Sequence, residues 1–105
     1  MPPTMAIRLE RRPGVAVAHL AGHLGIDSHR ELKAACEACL SDPAIAELRL
    51  DLAGIESADA TALGLLLVVR ERANGLGRQV SLTGFAPGTS QRLGVDDVGK
   101  FFAVV

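Results

Sequence analysis

Apolar and polar residues alternate along Met5-Ala6-Ile7-Arg8-Leu9-Glu10, along Leu48-Arg49-Leu50-Asp51-Leu52 and along Arg78-Gln79-Val80-Ser81-Leu82-Thr83-Gly84. That period of two predicts three half-buried strands. A fourth strand is predicted at Val15-Ala16-Val17-Ala18-His19-Leu20, after the turn Arg11-Arg12-Pro13-Gly14, so the first two strands form an antiparallel hairpin. Ala21 to Ile26 reads as a loop with two glycines.

Two stretches follow the helical period instead. Leu32, Ala35, Cys36, Cys39 and Leu40 share one face of a helix that Asp27 or Ser28 caps and Ser41-Asp42-Pro43 ends. Glu31 stands three residues after Ser28, as in a capping box. The second helix runs from about Thr61 to Asn74, closed by Asn74-Gly75, and its first half is apolar nearly all round. Such a helix is covered on more than one side, by the fold or by a partner. A short helix is predicted over Pro87 to Leu93, and a last strand or extended tail from Phe101 to Val105. Strand, helix and strand between Leu48 and Gly84 make a right-handed parallel βαβ unit. The expected architecture is a small α/β domain spanning residues 1–105, with a mixed sheet, an N-terminal antiparallel hairpin, later parallel strands and helices packed over the sheet.

Composition narrows the function. The chain has 105 residues, room for one core, and its only aromatic residues are 3 Phe. A net charge of −1 argues against nucleic acid and against charge-driven binding to an anionic membrane. No apolar run reaches the ~18 residues of a membrane span. The opening Met1-Pro2-Pro3-Thr4 has no signal-peptide character, so the expected location is the cytoplasm.

Candidate chemistry is sparse. Cys36 and Cys39 sit near the end of their helix, away from the N-terminal position that lowers a thiol pKa, and read as packed cysteines. No metal or cofactor site is expected. The phosphate-loop, dinucleotide and nucleophile-elbow patterns are absent. His19 reads as a solvated or core histidine, and His23 falls in a loop. Asp51 and Asp59 as an acid–base pair compete with the plainer roles of strand-end carboxylate and helix cap. No catalytic residue is expected, and the chain reads as a non-enzyme.

The turn Asp59-Ala60-Thr61 stands apart, because a hydroxyl in the first turn of a helix lies near unpaired N–H groups and the positive dipole end. Thr61 either caps or packs that turn, or accepts a phosphate there. Gly64 follows on the same face, one turn on.

The run from Leu50 to Leu67, centred on Ile55-Glu56-Ser57-Ala58-Asp59-Ala60-Thr61-Ala62-Leu63-Gly64, resembles the signature of STAS domains. Leu20-Ala21-Gly22-His23-Leu24 resembles that family's loop before the first helix. Val80 to Gly84 with Pro87, and Leu93 to Val98 with Phe101, resemble its closing segments. The resemblance implies an anti-sigma factor antagonist that binds an ATP-using anti-sigma kinase and is phosphorylated at Thr61. By motif, Gly22, His23 and Asp27 on the loop, and Asp59, Ala60, Thr61, Ala62, Gly64 and Leu65 on the turn and helix, are the expected partner-binding residues. A threonine at the acceptor position also resembles stressosome scaffold components and the cytosolic STAS subunit of lipid-transport ABC systems. A homodimer is left open.

Overall fold

The computed structural model describes residues 5–84 and 102–104. β1 (Met5–Arg12) and β2 (Val15–Leu24) form the expected antiparallel hairpin, with Met5 opposite Gly22 and Arg12 opposite Val15. Both strands outrun their predicted ends. The turn shrinks to Pro13-Gly14, and most of the predicted loop after Leu20 is strand. The reason is tertiary: β2 is hydrogen-bonded on both sides, to β1 and in parallel to β3 (Glu47–Ala58), and pairing overrides a weak local preference.

A 3-10 turn, Ile26–Ser28, leads into α1 (His29–Leu40), and α2 (Ala62–Gly75) follows β3. Among the described residues, β4 (Gln79–Thr83) and β5 (Ala103–Val104) bring the sheet to five strands in the order β1-β2-β3-β4-β5, parallel from β2 onward. The short helix expected at Pro87 lies outside the described residues.

With strands added in one direction, right-handed crossovers bring successive helices to the same face. The burial pattern agrees. Leu48, Leu50 and Leu52 of β3, Ala16, Ala18 and Leu20 of β2, and Val80 and Leu82 of β4 are buried in one cluster. The same cluster holds Leu32, Cys36 and Cys39 of α1 and Leu66, Val69 and Ala73 of α2. The intervening residues point to the other face, which, the buried Val17 apart, is polar. There His19 lies between Asp51 (Nδ1 to Oδ2, 2.7 Å) and Glu10 (Nε2 to Oε1, 2.9 Å), and Arg12 reaches Glu10 at 2.6 Å. His19 is therefore neither solvated nor in the core, and Asp51 is not a strand-end carboxylate but a mid-strand partner of that imidazole.

The first helix is not capped as expected. Ser28 Oγ donates to His23 O (2.8 Å) and accepts from Gly25 N–H (3.3 Å), which ties the turn to β2 instead of closing a capping box with Glu31.

Candidate functional site

The site is built where β2 and β3 end side by side. β3 reaches it through two irregularities: from His19↔Asp51 to His23↔Ser57, β2 advances four residues while β3 advances six. Each extra residue is a bulge, which bends and re-aims the strand. Gly54 makes this possible, since a Cβ there would stand 2.8 Å from Leu20 O. The outcome is that His23 Nδ1 meets Ser57 Oγ at 2.8 Å, and Asp59 N–H donates to Leu24 O at 3.1 Å.

Asp59 organises the turn into α2. Its Oδ1 accepts from Thr61 N–H (2.8 Å) and from the Thr61 hydroxyl (2.5 Å), and its Oδ2 accepts from Ile26 N–H (3.1 Å). His23 Nε2 lies 3.6 Å from the same Oδ2. The hydroxyl and amide of Thr61, then the amide of Ile26, hold the Asp59 carboxyl down to about 2. So weak a base does not take the Thr61 proton; it aims the hydroxyl and closes the turn that leads into α2. Gly25 is the counterpart of this crowding. A Cβ there would run into the Asp59 carboxylate and stand 2.7 Å from His23 Nε2.

The expected site residues do not all meet here. Asp59 and Thr61 are in contact, with Thr61 and Ala60 exposed and His23 beside them. Asp27 is exposed on the 3-10 turn. Gly64 is exposed and Leu65 half-buried on α2, whereas Ala62 is fully buried in the core and turns no side chain outward. Gly22 lies within β2, paired with Met5 and Ile55, at φ +99°. Asp51 and Asp59 engage different partners, so the acid–base pairing has no support.

Sequence reasoning missed Gly25, Ile26 and Ser57. No periodic signal marks Ser57, because its contact with His23 depends on the bulges. The signal for Ile26 was an apolar residue directly before two capping-type residues.

Along α2 from Thr61, the outward line passes Gly64, Leu65 and the exposed Val68. A groove of about 420 Å³ between α1 and α2 opens beside Leu65 and Val68, over Leu32, Cys36 and Leu40. Both cysteines are free and buried, and burial pushes the Cys36 thiol up to about 12. Among the described residues no cluster of three His, Cys, Asp or Glu could hold a metal ion, and no helix is long and apolar enough to cross a membrane.

A family model described as "Mlab, STAS domain" matches residues 7–103. The chain belongs to the STAS-domain family. Solved structures agree with this STAS fold. An anti-sigma factor antagonist from Mycobacterium paratuberculosis superposes with a TM-score of 0.80 at 20% identity, over 99% of this chain and 87% of that one. Phosphorylated SpoIIAA, a Bacillus cell fate determinant, gives a TM-score of 0.69 at 16% identity, over 95% and 91%. RsbS from Moorella thermoacetica gives 0.72 at 20% identity, over 94% and 85%. No curated protein sequence matches this STAS domain significantly.

Proposed function

We propose that this STAS domain is an anti-sigma factor antagonist: a cytoplasmic binding module that captures an anti-sigma serine/threonine kinase and thereby regulates sigma-factor-dependent transcription. The observation that carries the reading is the exposed Thr61 hydroxyl at the start of α2, fixed by Asp59 at the edge of the sheet. The phosphorylated form of SpoIIAA, a structural neighbour, supports it. The partner supplies ATP and the chemistry, so the role asks for no catalytic group, metal or cofactor from this chain. The contact surface is Thr61 with Asp59 and Ala60, the flanking Gly64 and Leu65, His23 at the end of β2 and Asp27 on the 3-10 turn.

Phosphorylation would act as the switch. A phosphate adds roughly −1.5 to −2 charge beside Asp59, which is already ionised. The partner surface that accepts a neutral hydroxyl then meets a dianion, and the complex separates.

The test is intact mass after incubation with the purified anti-sigma kinases of the source organism and ATP. One added phosphate on the wild type, absent from Thr61→Ala, is the expected result. A stable complex with no phosphate on the wild type would remove the switch and leave a binding module. The second reading, a cytosolic STAS subunit of a lipid-transport ABC system, is favoured by threonine in place of serine at position 61. It predicts no complex with any of those kinases and co-purification with an ABC ATPase.

A further inference from the structure

Asp59 is shared between two elements that the sequence keeps far apart. One carboxylate oxygen takes both hydrogen bonds from Thr61, and the other takes the backbone N–H of Ile26. Ile26 carries the most exposed of the large apolar side chains among the described residues, at 66%. It sits at the head of the 3-10 turn, next to α1, on the same edge as Thr61.

We propose that Ile26 is an apolar contact for the protein partner, and that Thr61 controls it through Asp59. The identity of that partner rests on the function proposed above, whereas the link between Thr61 and Ile26 does not.

The link follows from the rigidity of a carboxylate. Its two oxygens move as one unit, so displacing one displaces the other. When the γ-phosphoryl group of ATP passes to Thr61 Oγ1, an Oγ1–P bond forms, ADP leaves, and the hydroxyl proton is released. Asp59 Oδ1 loses the hydroxyl, one of the two Thr61 donors it accepted, keeps the backbone N–H, and faces a dianion. Gly25, which leaves no space for even a Cβ, hems the carboxylate in from the other side. Asp59 cannot retreat from the phosphate and keep its bond to Ile26. The turn keeps its ties through Ser28 to Gly25 and His23, but the residue at its head is set loose. An apolar anchor contributes to binding in proportion to how well it is held beforehand. Modification of Thr61 therefore weakens the partner twice, by repulsion at α2 and by freeing the anchor on the turn.

The experiment reads the amide exchange of Ile26 by NMR in the free protein, with the Leu50 amide of the central strand as a control for intact fold. Asp59→Ala and Thr61→Glu should each accelerate Ile26 exchange at least about tenfold, the loss of one charge-assisted hydrogen bond, with Leu50 unchanged. Should Asp59→Ala unfold, Asp59→Asn keeps the shape and one acceptor and should accelerate exchange to a smaller degree. An Ile26 amide that is indifferent to Thr61→Glu overturns the link, whatever the kinase does. The contact is tested with Ile26→Ser and the anti-sigma kinase that modifies Thr61. Affinity should fall at least about tenfold while excess kinase still phosphorylates Thr61. Wild-type affinity in that variant overturns the contact. If no anti-sigma kinase binds the wild type, the proposed function and the role of Ile26 as a contact fall together, and the Asp59 link is judged by the exchange rates alone.

Discussion

Gly25 shows how one missing methyl group can position a site. It lets the end of β2 pass against the Asp59 carboxylate, which then reaches Thr61 and Ile26 together. Gly25→Ala should shift the Thr61 and Ile26 amide resonances together and lower stability by about 1–3 kcal/mol in urea denaturation, as overpacking does. A shift at Ile26 alone would mean that Asp59 stays on Thr61. His19 supports a second prediction. Its bond to Glu10, then that to Asp51, raise its pKa above the ordinary 6.5. Protonated His19 donates to both carboxylates, so its stabilisation is complete below pH 6.5 and is lost as pH rises through the raised folded value. Melting temperature against pH should fall for the wild type on that alkaline side and stay flatter for His19→Gln; parallel curves would show the pair to be inert. Some of this was legible beforehand. Asp59 and Thr61 stand two apart ahead of a helical pattern, which is a local relation. His19 with Asp51, and His23 with Ser57, are separated by more than thirty positions and meet only through the register of β2 and β3.

Among the elements, β3 and α2 differ most from their patterns in the chain. Leu48, Leu50 and Leu52 marked β3 correctly, but the strand runs on to Ala58 through Gly54 and two polar residues. Pairing to β2 supplies what propensity lacks there, and period-two reasoning fails where a bulge changes which face the next residue takes. Leu52 and Ile55, three apart, are both buried for that reason. α2 posed the opposite problem. Its apolar surface is too broad to show which side faces the sheet. Leu66 is fully buried, and Val68 is 58% exposed. Leu66→Ala should cost about 2–5 kcal/mol, and Val68→Ser less than about 0.5 kcal/mol. Equal losses in urea would place Val68 in the core. The helix thus has one side committed to the fold, and its exposed line of Thr61, Gly64 and Val68 is free to meet something else.

At the scale of the molecule, among the described residues, one face of the sheet carries α1 and α2 and the other carries charge. Glu47 holds Arg49 at 2.9 Å and Ser81 at 2.7 Å, beside the Glu10, His19 and Asp51 chain. The fold class was legible because it depends on element order and on the handedness of crossovers, neither of which needs an exact boundary. The buried thiols give a check on the whole fold: a thiol reagent such as DTNB should leave Cys36 and Cys39 untouched in the native protein and modify both in urea. Native reactivity would mean that α1 opens readily. The strand order carries a consequence of a different kind. Among the described strands, position in the sheet follows position in the chain, from β1 to β5. A sheet of this order can assemble during synthesis, each strand joining an edge already present, with no neighbour to await from downstream. Thr61, Asp59 and Ile26 all precede β4. The residues of the surface that would meet a partner thus emerge from the ribosome before β4, and the later strands extend the sheet beside β3 after that surface is laid down.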